Sequence, residues 1–183
     1  MATPTTARVD DETDFDPLLP ADASAIFDSA RELLLAACQG QNNSALKGKQ
    51  LGLMSASDAP SDVANACTNT NSQSADADLF RLAATRLGAH VARIKPRLTA
   101  SSSATELRRL ALMLGRLYDA VECQGMPLDL VQKIRAQAGV PVYFRLASAG
   151  HPTAALANQL QDGASARDKR LFVLQAALLR SLV

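Results

Sequence analysis

The chain has 183 residues, which is room for one ordinary domain with a tail and argues against two full domains. Hydrophobic residues make up 48% and charged residues 20%, and 19 basic against 18 acidic side chains leave a net charge of +1. This balance provides no basic field for a polyanion, and an aromatic content of 4% argues against nucleic-acid binding by base stacking.

The first twenty residues are rich in acidic side chains and proline, which predicts a flexible acidic tail over 1–20 ahead of one domain over 21–183. The tail has neither the basic start and apolar centre of a secretory signal nor the basic character of an organelle transit peptide. Apolar runs in the sequence are all shorter than the ~18 residues of a membrane span. We therefore expect no membrane partner.

The cysteines and histidines predict neither a disulfide framework nor a metal site. The three cysteines are far apart and include no Cys-x-x-Cys pair, and the two histidines are not spaced as metal ligands. Free thiols are typical of a reducing compartment. The composition therefore favours a cytoplasmic protein that holds no metal and no cofactor.

In the first half of the domain, segments of helical apolar spacing alternate with short continuous apolar runs. The first helix presents one apolar face, made of Ile26, Ala30, Leu33, Leu34 and Ala37. The run from Gln50 to Ser55 is typical of a strand buried on both faces. In order, we predict a helix over 22–38, a strand over 50–55, a long polar loop over 56–78, a helix over 79–87 and a strand over 90–94.

The second half of the domain continues the alternation with clearer helix boundaries. Ser103 and Glu106 have the spacing of a capping box and predict the start of a helix. Pro127 suits the first turn of the next helix, which Gly139 ends. We predict strands over 119–123 and 140–144, a short helix over 151–160, and a last helix over 165–182 with an apolar stripe of Leu171, Leu174, Leu178 and Leu182.

This alternation of strands and helices predicts an α/β fold. We expect a four-stranded parallel sheet with helices on both faces, and a C-terminal helix that returns onto the same domain. In such sheets, ligands bind at the carboxyl ends of the strands. The segments to inspect for a site are therefore those that begin at Ser55, at Cys123 and at Ala147.

Five short segments of the sequence carry a resemblance to a known family. They are Leu46–Leu53 (LKGKQLGL), Ala83–His90 (AATRLGAH), Leu114–Glu122 (LGRLYDAVE), Ala138–Val142 (AGVPV) and His151–Thr153 (HPT). In this order they resemble the carbamoyl-phosphate domain of the ornithine and aspartate carbamoyltransferases, and most closely the ornithine type. The resemblance implies transfer of a carbamoyl group to an amino acid such as ornithine, in a homo-oligomer. It favours a trimer, with a monomer or dimer as the alternative.

The resemblance is incomplete in domain content. Family members carry a second domain that binds the amino acid acceptor, and this chain has no room for it. The segment from Asp168 to Leu179 resembles the family's C-terminal helix, which returns to pack on the first domain. We therefore expect that the second domain has been excised and the returning helix kept, covering an apolar groove that would otherwise meet water.

The resemblance is also incomplete in chemistry. The family binds carbamoyl phosphate with a Ser-Thr-Arg-Thr stretch, which corresponds to Gln73–Asp76, and its arginine falls on Ala75. A second family arginine is Gln124 here, and no lysine or arginine occurs between Gln50 and Phe80. We expect such a segment to repel a phosphate dianion.

Two polar residues of the family's His-Pro-Thr-Gln signature remain. They are His151 and Thr153, whereas the glutamine is Ala154. We predict His151, Thr153 and Gln124 as ligand contacts, with His151 as the one weak catalytic candidate. The alternative for His151 is a residue retained for the local structure of a helix start. Cys123, at a strand end, is expected to be a buried inert thiol, because no base is identified to activate it.

Three functions are consistent with these features. The preferred one is a non-catalytic, carbamoyltransferase-like domain that serves as a binding or assembly module. The first alternative is a working carbamoyltransferase whose acceptor domain is supplied by another polypeptide. The second is a small-molecule binder that uses the strand ends near His151. We expect no nucleic-acid partner.

Overall fold

The computed structural model describes residues 22–55, 67–96, 102–161 and 163–183. The predicted acidic tail over 1–20 lies outside these residues. The strands are β1 (Gln50–Ser55), β2 (His90–Ile94), β3 (Ala120–Gln124) and β4 (Val142–Phe144). The helices in the same part of the chain are α1 (Asp22–Cys38), α2 (Cys67–Arg86), α3 (Ala104–Leu117), α4 (Leu128–Ala138), α5 (Ala154–Gln159) and α6 (Ala166–Leu182).

The four strands form one parallel sheet in the order β2-β1-β3-β4. Leu51 of β1 pairs with Val91 on one side and with Ala120 on the other, so β1 is a central strand. In the described residues β3 is also fully buried along its length. The predicted α/β fold with a parallel sheet is therefore confirmed, and the carboxyl ends of all four strands lie along one edge.

Helices cover both faces of the sheet. Successive strand residues point to opposite faces, so an apolar strand presents side chains that must be covered on each face. Leu51 and Leu53 face a core cluster formed with α2 and α6. Met54 faces the opposite cluster, formed with α3 and α4. The same alternation separates Tyr143 from Val142 in β4.

The last helix has a second partner in the first helix. A third cluster joins residues of α1, α5 and α6, and it contains Ile26, Ala30, Leu33, Ala157, Leu160, Val173, Ala176 and Ala177. Arg180 Nε donates to Asp22 Oδ1 at 2.9 Å across the same pair of helices. The apolar stripe predicted for α6 is buried at Leu171, Leu174 and Leu178. Ala37, predicted for the buried face of α1, is exposed, because the last turn of α1 extends beyond this packing.

The long polar loop predicted over 56–78 is wrong for residues 67–78. Helix α2 begins at Cys67, well before the predicted start at Leu79. The serine, threonine and asparagine residues of this segment have only slightly unfavourable helix propensities, and no proline or glycine interrupts it before Arg86. Packing of its partly buried Ala77 on the α2–α6 core cluster overrides the weak propensity. Residues 56–66 lie outside the described part of the chain.

Other boundaries differ from the predictions by a few residues. The third strand begins at Ala120 because the Asp119 carboxylate is used at its start, where it accepts from the Gln50 backbone N–H at 2.8 Å. The fourth strand begins at Val142, after Pro141, which has no N–H to donate to a neighbouring strand. The capping box is confirmed, with Glu106 N–H donating to Ser103 Oγ and Ser103 N–H donating to Glu106 Oε2.

Candidate functional site

The parallel sheet brings the predicted site residues to one edge, beyond the ends of β3 and β4. We call this region the strand-end site and define it by Gln73, Asp76, Glu122, Gln124, Arg145, Ser148, His151, Thr153 and Arg170. Helix α2 lies directly against the end of β3. Gly125 has φ +64°, and a Cβ at this position would lie 2.7 Å from Gln73 Oε1. The site is therefore closely packed at this point.

Gln124 ends β3 and is 3% exposed. Its Nε2 donates to Glu122 Oε1 at 3.2 Å, so half of its amide serves to hold a neighbouring carboxylate. Its Oε1 is buried and has no hydrogen-bond partner among the described residues. An amide in this state is an available acceptor rather than a cationic anion contact.

His151 and Thr153 are held against each other in the loop before α5. The Thr153 backbone N–H donates to His151 Nδ1 at 3.2 Å, and Thr153 Oγ1 lies 2.8 Å from the same nitrogen. The Thr153 backbone N–H thus makes Nδ1 a hydrogen-bond acceptor. This geometry favours the reading in which His151 is retained for the local structure of the turn.

Arg170 is a central residue of the site that the sequence analysis missed. It projects from the first turns of α6 and is 8% exposed. Nη1 donates to Thr153 Oγ1 at 2.9 Å, and Nη2 donates to the carbonyl oxygens of Leu146 at 2.5 Å and Ser148 at 3.3 Å. The signal was present in the sequence, since Arg170 lies four residues before Leu174 on the buried stripe.

Burial lowers the pKa of Arg170 to about 10, and the negative charges of Asp76 and Glu122 oppose this shift. The guanidinium therefore remains charged at neutral pH. Its Nε is buried without a hydrogen-bond partner in the described part of the chain. A buried cation of this kind requires negative charge nearby, which these two carboxylates supply.

Glu122 is fully buried in β3 and was predicted only as part of a family segment. Its Oε1 accepts from the Leu146 backbone N–H at 3.0 Å, while Arg170 binds the carbonyl oxygen of the same residue. The Leu146 residue is thus held on both sides. The preceding residue, Arg145, has φ +53°, a left-handed conformation that costs energy for a non-glycine residue.

Asp76 of α2 lies within electrostatic reach of two arginines. Desolvation raises the pKa of the Asp76 carboxyl, and the charges of Arg145 and Arg170 lower it. Residues 50–80 themselves contain no lysine or arginine. The positive charges that act on Asp76 come from other elements, the loop after β4 and α6. The nearby Asp78 is instead ion-paired with Arg81 and Arg93.

Cys123 is buried in β3, where it pairs with Met54 of β1 and Phe144 of β4. Burial raises the pKa of its thiol well above the usual range, and the charge of Glu122 raises it further. A thiol in this state is not a nucleophile at neutral pH.

Two further searches cover the described residues only. No group of three or more histidine, cysteine or acidic residues could hold a metal ion there. No helix in the described ranges is long and apolar enough to cross a membrane.

Comparisons with known proteins give consistent sequence similarity over most of the chain. An ornithine carbamoyltransferase of Actinobacillus pleuropneumoniae is 33% identical over 135 residues, which is 74% of this chain and 36% of that protein. A catabolic ornithine carbamoyltransferase of Chromobacterium violaceum is 32% identical over 142 residues, covering 77% of this chain and 38% of the relative. No family model matches the sequence.

Solved structures support the fold. The ornithine carbamoyltransferase of Pyrococcus furiosus superimposes with a TM-score of 0.57 at 20% identity, over 80% of this chain and 42% of that one. The catalytic subunit of the aspartate transcarbamoylase of M. jannaschii gives a TM-score of 0.52 at 23% identity, covering 76% of this chain and 41% of the other. The chain thus spans about two fifths or less of each of these proteins.

Proposed function

This chain belongs to the carbamoyltransferase family, to which about three quarters of its length is similar, and from this premise we propose that the chain is a non-catalytic binding or assembly module. The observation that carries the proposal is the Asp76 carboxylate. It lies in the segment that corresponds to the family's phosphate-binding stretch, and desolvation raises its pKa although the charges of Arg145 and Arg170 lower it. An ionised Asp76 would repel the negative charge of an incoming phosphate.

The two replaced family arginines determine how much affinity for carbamoyl phosphate we expect to be lost. Their positions hold Ala75 and Gln124. Each lost charge-assisted hydrogen bond is worth about 1.5–3 kcal/mol, so that two reduce affinity by roughly 10²–10⁴. Arg170 does not replace them, because two of its nitrogens are bound to Thr153, Leu146 and Ser148.

We expect no useful affinity for carbamoyl phosphate. In calorimetric titration of the full chain at neutral pH and low salt, saturable binding should be absent below a Kd of about 100 μM, roughly −5.5 kcal/mol. An ornithine carbamoyltransferase titrated in parallel is the positive control for the reagent. Binding of this chain below that limit, or formation of a carbamoylated amino acid from ornithine or aspartate, contradicts the proposal and supports the transferase alternative.

A small-molecule role for the strand-end site is the second candidate. It is favoured by two buried polar atoms that lack a hydrogen-bond partner among the described residues, Gln124 Oε1 and Arg170 Nε. Such atoms are costly unless something pairs with them. A ligand with both a donor and a carboxylate, such as an amino acid, offers the matching groups. The same calorimeter with a panel of amino acids decides this candidate.

We further propose a cytoplasmic homotrimer that assembles through this domain. The support is the similarity to carbamoyltransferases, since the resemblance implies trimers formed through the same domain. Light scattering at micromolar concentration should give three times the mass of one chain. A monomeric mass that persists at high concentration contradicts the assembly and leaves the proposal of a non-catalytic domain unaffected.

A further inference from the structure

The outer face of α3 carries large apolar side chains that no described residue covers. Leu112 is 49% exposed, Met113 44% and Leu117 56%, whereas the opposite side of the same helix is buried against the sheet. Met113 and Leu117 are neighbours four residues apart on the helix, and Leu112 flanks them. A single exposed leucine is ordinary, but a group of this kind indicates a surface on which something docks.

Arginines surround these apolar side chains. They are exposed, and each lies three or four residues from Leu112 or Met113: Arg108, Arg109 and Arg116. Glu106, the one acidic residue of α3, is held at the first turn by Ser103, which donates to its Oε2 from the backbone N–H and from Oγ. We call these three arginines and three apolar residues the α3 face. Its occupant should carry both apolar groups and negative charge.

The segment ahead of α1 has the matching composition. Residues 10–19 read Asp-Asp-Glu-Thr-Asp-Phe-Asp-Pro-Leu-Leu, so they alternate between acidic and apolar character. Residues 1–20 contain one basic and five acidic side chains, whereas the rest of the chain contains 18 basic and 13 acidic ones. The segment and the domain that follows it are therefore of opposite charge and attract each other.

The length of this segment is sufficient for it to reach α3. Extended chain from residue 10 to the start of α1 at Asp22 spans up to about 40 Å, which is close to the diameter of a domain of this size. Because the segment and the α3 face belong to one chain, their effective concentration is in the about millimolar range, at which even a weak contact is populated.

We propose that residues 10–19 dock on the α3 face of their own chain, with Phe15 against the exposed apolar side chains and the acidic residues opposite the arginines. Exposed ion pairs contribute little to stability, so the apolar contacts hold the segment, and the charges determine which face it chooses. Composition alone predicts a flexible tail here, and the α3 face supplies what a tail needs in order to dock. The docked segment withholds this face from other chains.

A single fluorescent reporter tests the docking in the full-length chain. The sequence contains no tryptophan, so Phe15→Trp places the only indole of the protein within the segment. Its emission should lie at shorter wavelength than that of a peptide of residues 1–20 with the same substitution. Acrylamide should quench it at least about twofold less than the peptide, because a docked indole is shielded from solvent.

Two substitutions in the Phe15→Trp chain identify the docking surface. Leu117→Ser should shift the emission to longer wavelength and restore quenching, and its exposed position leaves the core intact. The matched control is Leu35→Ser, because Leu35 is 47% exposed on α1 and lies outside the α3 face. This control should leave the emission where it was.

The charges are tested in the same way. Arg116→Glu should also release the indole, because it places a negative charge opposite the acidic segment. Its control is Arg86→Glu, since Arg86 is likewise an exposed arginine in the last turn of a helix, but on the other side of the sheet. The second variant should retain the protected emission.

Docking within one chain does not depend on protein concentration, so the protected emission should persist on dilution. Protection that appears only at high concentration would place a second copy on the α3 face and overturn the inference. Emission equal to that of the peptide, or an equal response to Leu117→Ser and Leu35→Ser, would overturn it as well. These outcomes leave the proposed function standing, because that function is judged by the binding of carbamoyl phosphate.

Discussion

A chain truncated after Gly163, which lacks α6, is expected to lose cooperative folding. Three leucines of α6 are buried beneath the sheet, Leu171, Leu174 and Leu178. Full burial of a leucine side chain contributes about 1.5–3 kcal/mol, so that the combined loss of three is comparable with the about 5–15 kcal/mol by which a domain is stable. The opposite face of α6 also covers α1, whose apolar side would meet water.

The truncated chain should be insoluble, or compact with secondary structure but without a cooperative thermal transition. Far- and near-ultraviolet circular dichroism measure the two properties separately. The control is a chain that lacks only Val183, which is 86% exposed, and it should unfold as the full chain does. A soluble truncated chain with a cooperative transition would show that α6 is not needed for the core.

Arg170→Met is expected to destabilise the domain by about 3–5 kcal/mol, the usual cost of removing one partner from a buried ionic network. Glu122, which is fully buried, would lose the nearby positive charge of the guanidinium. The carbonyl oxygen of Leu146 would lose its donor at the same time. Urea denaturation gives the change in the free energy of unfolding.

Arg167→Met is the matched control, because Arg167 lies on the same helix and is exposed. Its effect should stay within about 0.5 kcal/mol, as for most surface substitutions. Adding Glu122→Gln to Arg170→Met should recover part of the loss, since it removes the unbalanced charge. Equal stability of Arg170→Met and Arg167→Met would contradict a structural role for the buried guanidinium.

Much of the fold could be predicted because its signals are local. The capping box at Ser103 and the apolar run from Gln50 to Ser55 each specify an element within a few residues. The early start of α2 could not be predicted in this way, because its first turns have weak propensity and no apolar stripe. The decisive contribution there is packing against distant elements, which no window of sequence contains.

The strand-end site likewise contains residues that could be predicted from the sequence and one that could not. The resemblance located Gln124, His151 and Thr153 at one edge, and the sheet brings them there. It did not locate Arg170, whose contacts with Leu146 and Thr153 join residues 24 and 17 positions apart. Whether the site binds a small molecule, and whether the chain forms a trimer, stay predictions.

The pairing of α1 with α6 also dictates an order of events on the ribosome. The apolar face of α1 is covered by residues of α5 and α6, which are synthesised after all four strands. Until α6 leaves the exit tunnel, Ile26 and Leu33 cannot dock on it, although their own helix has emerged before it. Contacts of such long sequence separation form slowly, and exposed apolar surface attracts chaperones in the interval. The apolar face of α1 is therefore exposed during the synthesis of the whole sheet, and the emergence of α6 ends that exposure.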